Sequence, residues 1–147
     1  MKTKITMLVA LCALMLIALA VASPGEMKAK RDGMFIHISH GKDDPHRALM
    51  ALQMAIKISD TKDVLIYCDI QAIDLVVKDA PNLEMEPFPP LKKALAILKE
   101  RGVPIMACPG CLKAAGNTPE DLAEGVQIAD KDAFFNFTSG RIITLDY

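Results

Sequence analysis

From residue 33 to the end of the chain, short unbroken apolar runs alternate with segments of helical periodicity. Residues 34–39 and 63–68 are runs of strand length, and the helix predicted between them begins at Asp44 and Pro45. A carboxylate followed by proline is a typical helix start, because the side chain caps a backbone N–H and proline needs none. Strands without alternating polarity are buried on both faces, as in a parallel sheet between helices. The pattern therefore predicts an α/β domain, with ligands beyond the carboxyl ends of its strands.

The rest of the chain continues this alternation. The further predicted elements, in chain order, are a short helix over 70–77, a proline-rich loop over 79–90, a helix over 91–101, a strand over 103–107, a helix from 118 to about 124, a strand over 126–129, a short helix over 131–138 and a strand over 141–145. Capping residues and proline punctuation set most of these boundaries. Together with the first two strands, they predict a parallel sheet in a single domain.

The N-terminus has the three parts of a secretory signal peptide. Lys2 and Lys4 form a positive n-region, and residues 5–21 are uncharged and almost wholly apolar. Residues 20–22, Ala-Val-Ala, offer a small-x-small cleavage site. This order of features predicts export with removal of the segment.

Cleavage at this site divides the chain into three parts. They are a signal peptide over 1–22, a flexible leader over 23–32 and one domain over 33–147. After cleavage the protein is expected in the periplasm or elsewhere outside the cytoplasm. An uncleaved membrane anchor is the alternative, because the apolar run is close to the shortest length that spans a bilayer. In that case the segment would be the contact with the membrane.

Net charge bears on the class of partner. Lys and Arg number 17 and Asp and Glu number 18, so the formal net charge is −1. This balance gives no general electrostatic basis for binding nucleic acid. We therefore expect no nucleic-acid partner.

Cysteine usage points to thiol chemistry. Of four cysteines, Cys12 would leave with the signal peptide, so Cys68, Cys108 and Cys111 remain in the exported chain. An odd number of cysteines cannot pair completely within one chain, and an exported protein meets an oxidising compartment. At least one thiol is therefore free, modified or paired with another molecule.

The strongest candidate site is the motif Cys-Pro-Gly-Cys at residues 108–111. Cys108 is predicted at the carboxyl end of the third strand, and Cys111 in the first turn of a following helix. The amides and dipole at a helix N-terminus favour a thiolate, and Lys113 would add positive charge. We predict a reactive, nucleophilic pair. The alternatives are an inert structural disulfide or half of a metal site.

Other residues are weaker candidates. Cys68 ends the second strand on the same side as Cys108, where it is either a third sulfur of the site or a small buried apolar residue. His40 flanks a strand-end loop and is a candidate for a functional contact, whereas His37 lies within a strand and is interpreted as an ordinary packed histidine. Zinc sites need about four ligands, which one Cys-x-x-C does not supply, so no metal and no cofactor are predicted.

Two segments resemble a known family. Residues 41–55, GKDDPHRALMALQMA, resemble the first loop and helix of the DsrE/DsrF-like sulfur-relay proteins, in which a G-x-D-D-P-x-R-A stretch follows the first strand. Cys108, which precedes Gly116 by eight residues, is similar to the active cysteine of that family, at the head of a short helix that ends in glycine. The form C-x-x-C-L-K-x-x-G resembles a subgroup with two cysteines.

The resemblance implies a fold, an assembly and a role. It implies a three-layer α/β/α domain with a five-stranded parallel sheet over residues 33–147, and homo- or hetero-oligomers, often trimers or hexamers. It also implies that Cys108 accepts sulfur as a persulfide and hands it to a partner. The partners would be sulfur donor and acceptor proteins or small sulfur compounds.

The cysteine pair and the family resemblance are compatible with three functions. The first is an exported sulfur carrier or sulfurtransferase-like protein, with the persulfide on Cys108 and Cys111 as the resolving thiol. The second is a thiol–disulfide oxidoreductase that uses the same pair. The third is a non-enzymatic oligomeric binding protein whose cysteines form a structural disulfide.

Overall fold

Five parallel strands form one sheet in the computed structural model, which describes residues 30–147. The sheet has the order β4-β3-β2-β1-β5, and every pairing is parallel. The strands are β1 (Gly33–Ile38), β2 (Asp63–Cys68), β3 (Ile105–Ala107), β4 (Val126–Ile128) and β5 (Ile142–Asp146). The predicted parallel α/β sheet is confirmed. The predicted signal peptide, over 1–22, and most of the predicted leader lie outside the described residues.

Four helices and two 3₁₀ segments connect the strands. The helices are α1 (Pro45–Ile58), α2 (Leu91–Glu100), α3 (Pro109–Ala114) and α4 (Ala133–Asn136), and the 3₁₀ segments are Ile70–Leu75 and Pro119–Asp121. The start of α1 is as predicted, because the Asp44 carboxylate accepts the backbone N–H of Arg47 at 3.1 Å and Pro45 is the first helical residue. Within residues 30–147, no helix combines the length and the apolar composition needed to cross a membrane.

The main core lies on the face of the sheet that α1 and α2 cover. Ile36, Ile66 and Ile105 are paired neighbours on three adjacent strands and are almost fully buried. Leu52 of α1 and Leu98 of α2 belong to the same buried cluster. The apolar residues of both helices recur at helical spacing, so one stripe of each helix packs on the strands.

The opposite face of the sheet carries a thinner layer. Phe134 of the one-turn helix α4 packs edge-to-face on Phe35 and Tyr67, with ring centroids 5.2 and 5.0 Å apart. The next residue, Phe135, is 72% exposed. The sheet is therefore covered on both faces, but to unequal depth. The shallow side leaves room for a site at the strand ends.

Three predicted helices are shorter in the structure, most clearly the one predicted from residue 118. The segment predicted as a helix over 118–124 is a single 3₁₀ turn, although Thr118 and Asp121 form the capping box that starts it. Leu122 has extended backbone and forms an antiparallel bridge with Val77, which stops the helix after one turn. The segments predicted as helices over 70–77 and 131–138 are likewise shorter than expected.

Candidate functional site

Cys108 lies where β3 ends and α3 begins. Ala107 points into the core, and because successive strand residues face opposite sides, Cys108 lies on the thinly covered side. The Cys108 backbone N–H donates to the carbonyl oxygen of Cys68 at 2.9 Å, which adds one bond beyond the end of the β2–β3 pairing. Cys108 is also the N-cap residue of α3, and its sulfur accepts the backbone N–H of Cys111 at 3.5 Å. Both cysteines thus lie at the strand–helix junction that the sequence predicts.

The surroundings of Cys108 favour its thiolate. Partial burial acts against ionisation, but the backbone N–H of Cys111 donates to the sulfur at 3.5 Å, and the nearby Tyr67 hydroxyl, Gly110 backbone N–H and Cys111 thiol also stabilise its negative charge. These interactions outweigh burial and hold the pKa of Cys108 below that of an ordinary thiol. The thiolate is the nucleophilic form of cysteine, so these surroundings favour nucleophilic chemistry at Cys108.

The surroundings of Cys111 disfavour its thiolate. The backbone N–H of Ile70 faces its sulfur and by itself would lower the pKa of Cys111. Burial and the negative charge of Cys108 outweigh that bond, so the pKa of Cys111 is raised. Ile70 has a left-handed backbone with φ of +46°, which is uncommon for a β-branched residue. The two thiols therefore have pKa values shifted in opposite directions. All three cysteines of the described chain are free thiols.

Tyr67 and His37 form a second layer behind Cys108. Burial, the hydrogen bond to Cys108 and the nearby negative charges raise the pKa of Tyr67, so its hydroxyl stays protonated and can donate. The His37 ring stacks on Tyr67 with centroids 5.6 Å apart. Its Nδ1 lies 2.8 Å from a carboxylate oxygen of Asp146, and its Nε2 lies 2.9 Å from one of Asp69.

Two carboxylates therefore flank the same imidazole. Burial acts to lower the pKa of His37, but the two carboxylates outweigh burial, and the net direction is upward. An imidazole that faces an acceptor at each nitrogen is best satisfied when both nitrogens carry protons. A protonated ring held in this way fixes the position of the Tyr67 ring, and hence of the hydroxyl that donates to Cys108.

Removing the Tyr67 hydroxyl is expected to raise the pKa of Cys108. In Tyr67→Phe the thiolate loses one donor, and a hydrogen bond to a charged group is worth about 1.5–3 kcal/mol. At a pH below the pKa, alkylation of Cys108 by iodoacetamide should become at least about tenfold slower, because one pKa unit changes the thiolate fraction about tenfold. The measurement is the alkylation rate of the Cys108 peptide as a function of pH, followed by mass spectrometry.

Tyr147→Phe is the matched control for this prediction. It makes the same chemical change at the other tyrosine of the chain and should leave the pH profile in place. An unchanged profile in Tyr67→Phe would show that the hydroxyl does not stabilise the thiolate.

The other predicted site residues lie outside these contacts. The Cys68 sulfur is 1% exposed among core residues, and burial raises its pKa to about 12, so Cys68 contributes its carbonyl to the site. His40 contacts Asp43 at 2.7 Å and Arg47 at 3.4 Å in the loop before α1. Lys113 is exposed near the end of α3. Across residues 30–147, none of these three side chains donates a hydrogen bond to either site sulfur.

Tyr67 and His37 are not predicted as site residues from the sequence. His37 is interpreted there as an ordinary packed histidine, and Tyr67 is not singled out. The sequence does carry a local signal for Tyr67, because it directly precedes Cys68 in a strand and therefore faces the opposite side of the sheet. The strand register gives this signal its meaning. Tyr67 pairs with Met106, and Cys108, two residues further along, faces the same side of the sheet as Met106.

A metal centre has no geometric support within the described chain. Residues 30–147 hold no group of three or more His, Cys, Asp or Glu side chains placed to bind one metal ion. The site there consists of two thiols and their hydrogen-bond donors.

Comparison with known proteins decides the family. The sequence model of the DsrE/DsrF-like family matches residues 32–144. The chain belongs to the DsrE/DsrF-like family. Membership supports a sulfur-relay role, sulfur-transfer partners and oligomeric assembly at the level of the family. No curated protein matches the chain.

Solved structures show the same fold. The YchN protein of E. coli superimposes with a TM-score of 0.61 at 15% identity, over 78% of this chain and 99% of that chain. MTH1491 of Methanobacterium thermoautotrophicum, described as a protein of unknown function, gives a TM-score of 0.54 at 13% identity, over 78% of this chain and 99% of that chain. At such identities the likeness concerns the fold alone. It confirms the DsrE-like α/β architecture.

Proposed function

We propose that this DsrE/DsrF-like protein is an exported sulfur carrier. Cys108 accepts sulfane sulfur as a persulfide and passes it to a partner, and Cys111 serves as the resolving thiol. The observation that carries the proposal is the position of Cys108 at the start of α3, where the backbone N–H of Cys111 donates to its sulfur at 3.5 Å; Tyr67 and Gly110 further favour the thiolate. One thiol of the pair is thereby prepared as a nucleophile, while the other keeps its proton.

Loading is a nucleophilic substitution at sulfur. The Cys108 thiolate attacks a sulfane sulfur of a hydropolysulfide, and the sulfur–sulfur bond of the donor breaks. The electron pair of that bond leaves on the shortened donor, as hydrosulfide or a shorter hydropolysulfide. Cys108 then carries one additional sulfur. The donors that stabilise the thiolate also suit the persulfide anion, which places negative charge in the same region.

Two routes can empty the loaded site. An acceptor thiolate can attack the outer sulfur, which moves to the acceptor and leaves the Cys108 thiolate. Alternatively the sulfur of Cys111 attacks the inner sulfur, the outer sulfur leaves with the proton of the Cys111 thiol as hydrosulfide, and a Cys108–Cys111 disulfide remains. The second route needs a dithiol reductant to return the protein to its dithiol form.

A thiol–disulfide oxidoreductase is the second candidate function. The observation in its favour is that both cysteines of the Cys-x-x-C motif lie at the start of α3, where the backbone N–H of Cys111 donates to the Cys108 sulfur at 3.5 Å. Such a pair can exchange electrons with a disulfide substrate by the same attack at sulfur. The two functions differ in whether an additional sulfur atom is ever held.

Intact-mass spectrometry on the purified protein tests the proposal. After incubation with polysulfide, the protein should gain the mass of one sulfur atom, lose it on treatment with dithiothreitol, and show it on the peptide that contains Cys108. A readily reduced disulfide, with no sulfur adduct on the unmodified protein or on Cys111→Ser, would favour the oxidoreductase. A disulfide that resists mild reductant, again without an adduct, would indicate a structural pair.

The place of action is part of the proposal. The predicted signal peptide would deliver the carrier to an oxidising compartment, where a stable free thiol needs regular reduction. Export is tested by comparing the mass of the protein isolated from cells with that expected after removal of residues 1–22.

A further inference from the structure

A cavity of about 440 Å³ lies beside the edge strand β4. It opens between α2 and the β3–β4 edge, on the core side of the sheet. Neither site cysteine lines it, and its volume is typical of a small-molecule site. The cavity is thus separate from the chemistry of Cys108.

One face of α2 forms a wall of this cavity. Lys92, Leu95, Ala96 and Lys99 line it, and they follow the i, i+3, i+4, i+7 spacing of a single helical stripe. The fully buried stripe of α2, which includes Leu98, lies beside this one, and Leu91 contributes to both. The cavity-facing stripe is apolar in the middle and has a lysine at each end.

The floor and the far wall are apolar. Leu75 and Ile105 lie at the base and are almost fully buried. Val77 stands on the far wall, where its antiparallel bridge to Leu122 holds the chain beside β4. A backbone bridge of this kind fixes the wall independently of any ligand.

The charges around the cavity are mainly positive. Three lysines and one glutamate line it. Lys99 is paired with Glu124 at 2.7 Å, and the side chain of Lys78 donates to the carbonyl oxygen of Glu120 near the Asp121 carboxylate. In the part of the chain that the structure describes, the Lys92 ammonium has no ion pair.

We propose that this cavity binds a small amphipathic anion, an aliphatic carboxylate. The aliphatic body would lie on Leu75, Leu95 and Ile105, and the carboxylate would face the Lys92 ammonium at the mouth. Burial of the ligand's aliphatic body supplies affinity in proportion to the apolar area removed from water, and Lys92 sets the preference for a negative head group. The inference does not depend on the sulfur chemistry proposed above.

Isothermal titration of the purified protein with octanoate tests the proposal, with octanol as the neutral analogue. Octanoate should bind saturably and more tightly than octanol. Ala96→Phe places a ring in the mouth of the cavity from an exposed helical position, and it should abolish binding. Lys92→Glu should weaken octanoate binding about tenfold or more, because it replaces attraction by repulsion.

Lys93→Glu is the matched control for charge. It makes the same change on the same helix at an exposed residue that does not line the cavity, so octanoate binding should be unchanged. Absence of saturable octanoate binding to the unmodified protein would overturn the proposal. Equal binding by Ala96→Phe, or equal weakening by Lys92→Glu and Lys93→Glu, would also overturn it.

Discussion

Cys108→Ser is expected to abolish sulfur loading completely. A serine hydroxyl is not ionised at neutral pH, and nothing at the junction of β3 and α3 serves as a strong base to activate it. The donors that stabilise the thiolate of Cys108 would bond to the hydroxyl instead, so the fold should be preserved. After incubation with polysulfide, the intact mass of Cys108→Ser should show no additional sulfur under conditions that load the unmodified protein.

The matched control for this variant is Cys68→Ala. It also removes one thiol, but a thiol that is buried in the core and whose pKa is raised to about 12. Loading should remain, provided that circular dichroism shows both variants folded. A sulfur adduct of normal yield on Cys108→Ser would transfer the acceptor role to Cys111 and contradict the assignment.

Cys111→Ser is expected to separate loading from resolution. The serine hydroxyl keeps a donor next to Cys108, so the thiolate should still form and still take up sulfur. Attack on the inner sulfur is no longer available, so no Cys108–Cys111 disulfide and no self-released hydrosulfide should appear. The persulfide should therefore persist after the donor is removed.

Two measurements check the Cys111 prediction. Sulfide released from the loaded protein is measured with time after removal of polysulfide, and the intact mass under non-reducing conditions reports the disulfide. The unmodified protein should release sulfide while Cys111→Ser retains its adduct until a thiol acceptor is added. Equal release by both proteins would mean that Cys111 does not resolve the persulfide.

Much of the fold could be predicted from local patterns. The strand over 63–68 is found with the predicted boundaries, and α1 begins at the predicted cap, because apolar runs and caps act within a few residues. The helix predicted from residue 118 is wrong in length because a long-range contact, which local patterns do not show, ends it. Its capping box is present, but the bridge between Leu122 and Val77 joins residues that are distant in the sequence.

The candidate site divides in the same way. The position of Cys108 at a strand end and helix start could be predicted, because both signals are local to residues 103–111. The contacts of Tyr67 and His37 behind Cys108 could not be predicted, because His37 and its partner Asp146 are 109 residues apart in the sequence. Such contacts exist because β1 pairs with both β2 and β5, and the order of strands in a sheet has no local signature in one sequence.

Local sequence patterns were sufficient to predict the parallel α/β class and the placement of a cysteine pair at the carboxyl end of a strand. Periodicity, caps and motif spacing are short-range properties, so a single chain displays them. The tertiary structure distinguishes the two thiols, because Tyr67 of the neighbouring strand β2 helps to lower the pKa of Cys108, whereas burial and the negative charge of Cys108 raise the pKa of Cys111. It also decided where the cavity beside β4 lies, since its walls come from segments that meet when the sheet and α2 pack together.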